Sequence, residues 1–224
     1  MYGHDFGKSS DSNRFYRHHY DAVMGVGLVG LLWRLIHKLM DFPFRNSADL
    51  RIVEVGAGSG QHRDLTKLNF SRYLETDIRV PERIFDIALR DFRQADAHTL
   101  ENCSNGEFNL LIATCLLVHL DNPKIALSTW KRVVQERGSI VVYVPCEPGL
   151  VLRFTRFFTT RRRVEKQGFN HKVLHWQEHR NHFIGMDVLI KEIFGDSQIR
   201  VLKFPFQFLP WNFNLFYIYY IKLD

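Results

Sequence analysis

Cysteine is scarce in this sequence, and so are uncharged apolar runs long enough to cross a membrane; each shortage closes off a class of protein. Only three cysteines occur among 224 residues, Cys103, Cys115 and Cys146. Their spacing offers no zinc site and no even-numbered disulfide framework. A small stapled secreted domain is therefore excluded, and a reducing, cytoplasmic compartment is the natural reading. The two most apolar stretches are interrupted. Arg34, His37 and Lys38 break residues 23–40, and Pro205, Gln207, Pro210, Asn212 and Asn214 break residues 204–221. Neither leaves the roughly 20 apolar residues that a transmembrane helix needs. The first twenty residues are polar and carry charges of both signs, unlike a secretory leader. A net charge of +6 is too small to call for a nucleic-acid partner. Repeats and low-complexity segments are absent as well. What the chain does have is length and aromatic bulk. Its 224 residues, 19 of them Phe, suit one large domain with a substantial core.

The most informative stretch is Arg51-Ile-Val-Glu-Val-Gly-Ala-Gly-Ser-Gly60. Ile52 to Val55 reads as a buried strand that breaks into glycines at alternate positions. A glycine turn between a strand and a helix lets the backbone approach a ligand, because no Cβ stands in the way. The dinucleotide fingerprint would place its third glycine where Gln61 stands. Glu54, Gly56, Gly58 and Gly60 instead form a Glu-x-Gly-x-Gly-x-Gly pattern. It resembles motif I of the class I S-adenosylmethionine-dependent methyltransferases, of the small-molecule type. The resemblance implies that Gly56, Ala57, Gly58 and Gly60 border the methionine end of S-adenosylmethionine and that Glu54 orders the loop from beneath.

The context carries the resemblance from about residue 51 to residue 144. An apolar segment ends in Asp77 and Ile78, where the family places the carboxylate that takes two ribose hydroxyls; Glu75 is the competing acid. Asp96 and Ala97 match the acid and small residue that border the adenine. Thr114 and Cys115 follow the fourth strand and are expected to line the cofactor cleft. His119-Leu-Asp matches the family's His-hydrophobic-acid segment, which makes His119 the candidate catalytic group beside the methyl. Tyr16 lies in an aromatic, basic arm similar to the one that folds over the cofactor in these enzymes. The family's Phe-Asp at the start of the fourth strand is Phe108-Asn109 here. The Pro145-Cys146 pair lacks the rest of any cysteine-nucleophile motif and reads as a loop cysteine.

The resemblance implies an α/β, Rossmann-like, seven-stranded, mostly parallel sheet with an antiparallel last strand and helices on both faces. Strands are expected at residues 52–55, 73–76, 92–95, 108–113, 139–144, 199–208 and 213–221. Helices are expected at residues 25–40, 61–68, 81–90, 122–135 and 186–194, with a mobile tail over residues 1–13. In the first helix, Leu28, Leu31, Leu32 and Leu35 share one side of a 3.6-residue period and are expected to cover the sheet. Residues 1–46 then form an arm and helix over the cleft, and residues 47–224 the methyltransferase domain with a substrate lid at about 149–185.

That lid holds His171, His175, His179 and His182. Pairs at i, i+4 can chelate a metal. Methyl transfer from a sulfonium needs none, so a helix lining a substrate pocket is the preferred reading and no metal is expected. The function implied is methyl transfer to a small-molecule or lipid/glycan-linked acceptor, anionic if the basic lid meets it. The alternatives are an RNA methyltransferase, suggested by Arg161 to Arg163, and a catalytically silent cofactor-fold interaction protein. Oligomeric state and the identity of the acceptor are not encoded in any motif.

Overall fold

The computed structural model describes residues 10–80 and 90–224. Seven strands form one sheet: β1 Leu50–Val55, β2 Phe70–Asp77, β3 Asp91–Gln94, β4 Phe108–Thr114, β5 Val134–Pro145, β6 Gln198–Phe204 and β7 Phe216–Lys222. Their order is β3-β2-β1-β4-β5-β7-β6. The β1 to β5 pairings are all parallel, and β7 runs antiparallel between β5 and β6. The sheet reverses its strand order between β1 and β4. Ligands bind there in open α/β sheets, at the carboxyl ends of the strands.

The helices in chain order are α1 Ser10–His18, α2 Tyr20–Met24, α3 Gly27–Asp41, α4 Gln61–Leu65, α5 Pro123–Val133, α6 Leu150–Phe158, α7 Thr160–Lys166, α8 His171–Glu178 and α9 Phe183–Ile193. The strands alternate their side chains between two cores. Val53, Leu111, Ile140 and Tyr219 pack with Trp130 of α5 and Ile190 of α9. Ile52, Leu110, Val141 and Ile218 pack with Trp33, Ile36 and Met40 of α3. A third, smaller cluster joins the N-terminal arm to the lid through Phe15, Val23, Val164, Phe169 and Leu174.

Several expectations are corrected. Helix α3 turns Gly30, Trp33, Ile36, His37 and Met40 inward, and it leaves Leu28 and Leu31 exposed at 66% and 59%. Trp33 fills more of the space over the sheet than a leucine would, and Ile36 and Met40 lie on its side of the helix, so that stripe takes the core. The chain is already helical at Ser10, ahead of the end expected for the mobile tail. Helix α4 stops at Leu65, because Thr66 is extended. Strand β5 starts at Val134, directly after α5. Its ladder to β4 shifts between Phe108 and Leu110, and Arg137 takes a left-handed φ of 57°. The regular pairing resumes at Ser139. The last two strands are shorter than expected, since residues 205–215 form a turn around Trp211–Phe213. The helix expected at residues 81–90 lies almost wholly outside the described residues.

Candidate active site

The glycine loop leaves β1 with Gly56, Gly58 and Gly60 at φ of 74°, 58° and 77°. All three sit in the left-handed region that side chains resist. Gly56 and Ala57 donate their N–H groups to the Thr76 carbonyl, at 2.8 and 2.9 Å. Gly58 N–H donates to Asp77 Oδ2 at 2.8 Å, and Arg79 N–H donates to Asp77 Oδ1 at 2.8 Å. The loop is thereby fastened to the end of β2. The three glycines differ in what faces them. A Cβ on Gly56 would strike Leu116, and one on Gly60 would strike Glu75 and Arg90. A Cβ on Gly58 would meet no described atom within 4 Å. Gly58 therefore faces open space, with the Asp77 carboxylate beside it and Ile78 exposed.

The competing acid is engaged elsewhere. Glu75 is buried and pairs with Arg90 at 3.0 Å. Glu54 is also buried and takes the hydroxyl of Tyr73 at 2.8 Å. Burial pushes its carboxyl up to about 7, against the pull of His62 and Tyr73. It lies under the loop rather than in the cleft. His62 sits beside it in a buried chain that the sequence did not suggest: His62 Nε2 meets Asp41 at 3.0 Å and its Nδ1 meets His37 Nδ1 at 2.7 Å. Burial lowers His62, but Asp41 and the Glu54 charge outweigh it and raise its pKa.

Asp96 ends the third crossing and accepts from His98 N–H and His98 Nδ1 at 2.8 and 2.7 Å. Ala97 is buried, and Trp130 Nε1 donates to its carbonyl at 3.0 Å. Thr114 turns its hydroxyl toward Met40 Sδ, at 3.6 Å, on the α3 side of the sheet. Cys115 has a left-handed φ of 56°, and burial pushes its thiol up to about 12, so it is neutral. Cys146 is fully buried with its thiol also pushed up, which leaves no thiolate for nucleophilic attack.

A second, deeper cavity adjoins Cys115 and lies between the N-terminal helices and the lid. Its polar wall includes Tyr16, Tyr20, His119, Arg156, His175 and His179. Tyr16 and Tyr20 stack with centroids 5.3 Å apart, and Tyr16 meets the His119 ring edge-on at 6.0 Å. Glu178 holds this corner together. It takes the hydroxyl of Ser12 and lies 3.7 Å from Arg79 Nη2. Its carbonyl accepts from His119 Nδ1 at 3.0 Å. That bond fixes the neutral imidazole as the Nδ1–H tautomer and leaves the lone pair on Nε2.

Glu147 forms the other polar centre. It is 2% exposed. His179 Nδ1 stands at 2.6 Å, Arg156 Nη1 at 3.0 Å, and His175 Nε2 is in direct contact. Burial alone would raise its carboxyl, but His175, His179 and Arg156 together hold it well below the usual range. Burial lowers His179 to about 3, so it stays neutral. Glu147, His175 and His179 offer ligand atoms close enough for a metal ion. The Arg156 guanidinium, also 2.7 Å from His175 Nε2, is a cation already set against two of these three groups. Glu147 is the residue that sequence reasoning missed. It follows Cys146 in a loop with no motif. Of the four lid histidines, His182 is exposed outside this cluster. In the basic run, Arg163 donates to the Val23 and Val26 carbonyls and Arg161 pairs with Glu165 at 2.7 Å.

Residues 53–142 match the family model of the methyltransferase domain. Over that stretch the chain carries a methyltransferase domain. A search of curated proteins finds no match. Among solved structures, the methyltransferase resembles an S-adenosylmethionine-dependent methyltransferase from Archaeoglobus fulgidus, with a TM-score of 0.62 and 12% identity over 91% of this chain and 97% of the other. It resembles a chain of the Haloferax volcanii complex between the Trm112 methyltransferase activator and a methyltransferase, with a TM-score of 0.64 and 11% identity over 96% and 98%. It also resembles the [4+2]-cyclase SpnF, with a TM-score of 0.63 and 12% identity over 89% and 84%. At such identities the likeness concerns the fold. S-adenosylmethionine is the cofactor that the methyltransferase domain implies. The residues present fit it: an open glycine, a carboxylate at the end of β2 for hydroxyl groups, and a second acid, Asp96, at the end of β3. No helix among the described residues is long and apolar enough to cross a membrane.

Proposed function

We propose that the methyltransferase methylates a hydroxyl of a small or lipid-linked acceptor bound between the N-terminal arm and the lid, with His119 as general base. Bound S-adenosylmethionine supplies a methyl group already activated as an electrophile by its sulfonium. The protein's task is then to hold the hydroxyl in line, exclude water and take one proton. The observation that carries the reading is the His119 Nδ1 bond to the Glu178 carbonyl, which presents Nε2 as the proton acceptor on the cavity wall. His119 Nε2 would take the hydroxyl proton as the acceptor oxygen gains the methyl group that the cofactor would supply, with S-adenosylhomocysteine as the leaving group. Arg156, kept in place by Glu147, supports an anionic acceptor, and the stacked Tyr16 and Tyr20 close the side away from the sheet. Gly56, Ala57, Gly58, Gly60, Asp77, Ile78, Asp96 and Ala97 are assigned to the cofactor. Residues 1–46 are assigned as the arm, and about 149–185 as the acceptor lid. Three free cysteines suit a cytoplasmic setting.

The test is transfer of a tritiated methyl group into cell extract separated into lipid, water-soluble and RNA fractions. Label in the lipid or water-soluble fraction is expected. His119→Gln should slow transfer by about 10²–10⁴-fold while leaving cofactor binding unchanged. Label in RNA alone, or a His119 variant as fast as the wild type, would overturn this assignment.

A further inference from the structure

Helix α6 is amphipathic the wrong way round for a soluble lid. Its inward residues are Leu152, Thr155, Arg156 and Thr159, which line the cavity. Its outward residues are Leu150, Phe154, Phe157 and Phe158, with exposures of 55%, 68%, 49% and 48%. Helix α3 also exposes an apolar row, in addition to its apolar inward face. Val29, Leu32 and Ile36 line the cavity, while Leu28, Leu31 and Leu35 face solvent. The two helices are linked through α7, where Arg163 donates to the carbonyl of Val23 in α2 and to that of Val26 just before α3. Single exposed apolar residues are ordinary, but exposed apolar rows on two helices that line one cavity call for an apolar phase against them.

The charges beside these rows are mostly basic, Glu165 beside Arg161 being the exception. Residues 22–40 and 148–164 contain no Asp or Glu. Arg34, Lys38, Arg153 and Arg162 are exposed among the apolar side chains, and the Arg161 and Arg162 guanidiniums lie over the Phe157 and Phe158 rings at 5.2 and 5.5 Å. Apolar residues interleaved with basic ones suit the headgroup region of an anionic bilayer. A protein partner would instead favour mixed charge at the rim.

We infer that the outer faces of α3 and α6 dock the protein on an anionic membrane surface, and that the cavity behind them receives an acceptor carried by a membrane lipid. The second half rests on the acceptor cavity proposed above; the first half does not. Sedimentation with phosphatidylcholine vesicles containing phosphatidylglycerol, against pure phosphatidylcholine, tests it. The wild type should sediment with the anionic vesicles and release as salt rises. Arg162→Glu should weaken binding by at least about fivefold. The pairs Phe154→Ser with Phe158→Ser, and Leu28→Ser with Leu31→Ser, should each weaken it by at least about tenfold. Circular dichroism and calorimetric S-adenosylmethionine binding should stay as in the wild type. A protein that binds S-adenosylmethionine but ignores the vesicles would overturn the docking and leave the enzyme reading intact. So would serine variants that sediment like the wild type, or light scattering that shows a dimer dissociated by them without vesicle binding. Vesicle binding without S-adenosylmethionine binding would keep the surface and remove the lipid-linked acceptor.

Discussion

Gly58 faces open space, and its neighbours Gly56 and Gly60 back onto Leu116 and Arg90. The three glycines therefore make different predictions. A valine at Gly58 meets no clash but must hold a left-handed φ and place its branches where the cofactor would lie. Gly58→Val should cost only about 1–2 kcal/mol of stability in urea unfolding. In calorimetry it should lose S-adenosylmethionine binding by more than about tenfold; unchanged binding would remove the loop from the site. Glu54 makes a prediction in pH. Its folded pKa of about 7 lies above the ordinary carboxyl value of 4.5, so the native state holds the proton more tightly than the unfolded chain. Its contribution to stability is then fully present below about 4.5 and is lost as pH rises through 7, on the order of 3 kcal/mol. His62, also raised, acts in the same direction. Glu54→Gln keeps an acceptor for Tyr73 and should flatten that decline between pH 5 and pH 8 in denaturant titrations. An undiminished slope would place the effect elsewhere.

At the scale of elements, the lid is held by a buried carboxylate rather than by apolar packing alone. Glu147 anchors Arg156 of α6, His175 of α8 and His179 just beyond it. Its backbone carbonyl accepts from Phe183 at the start of α9 at 2.9 Å. Removing the carboxylate strands a largely buried guanidinium, which costs about 3–5 kcal/mol where such pairs are broken. Glu147→Ala should therefore lower urea stability by that order and speed hydrogen exchange in α6 and α8 more than in β1 or β4. Uniform exchange across all four would show that the carboxylate does not hold the lid. The α3 outcome belongs to this scale too. The helix is apolar around most of its circumference, so a 3.6-residue period finds two candidate faces. Leu28, Leu31 and Leu35 satisfy the period as well as Trp33, Ile36 and Met40 do. Only the volume available over the sheet decides between them.

For the whole molecule, cofactor binding should appear as stabilisation, because the loop, Asp77 and Asp96 come together only in the folded sheet. A ligand at about 100 times its dissociation constant adds about 2.7 kcal/mol. For a chain of this length that is a Tm rise of about 5–10 °C. S-adenosylmethionine and S-adenosylhomocysteine should both produce it in thermal unfolding, and NAD should not. A shift with NAD alone would argue for the dinucleotide reading despite Gln61.

Most of the sheet and the cofactor edge were legible in the chain, because their signals are local. A glycine turn follows its strand directly and Asp77 ends a largely apolar segment, while Asp96 was placed by the resemblance, as the acid before a small residue after the third strand. His119 was reachable in the same way, from a short segment after β4. What tertiary structure decided is the pairing of distant groups. Glu147 meets His175 and His179 across 28 and 32 residues of lid. Ser12 meets Glu178 across 166 residues. Asp41, His62 and His37 join beneath a loop whose motif names none of them. Burial and charge compensation select these contacts, and both are properties of the space enclosed by the fold. The same holds for the outward faces of α3 and α6. Local periodicity records that a helix has an apolar side; the packed neighbours determine which side remains for a membrane.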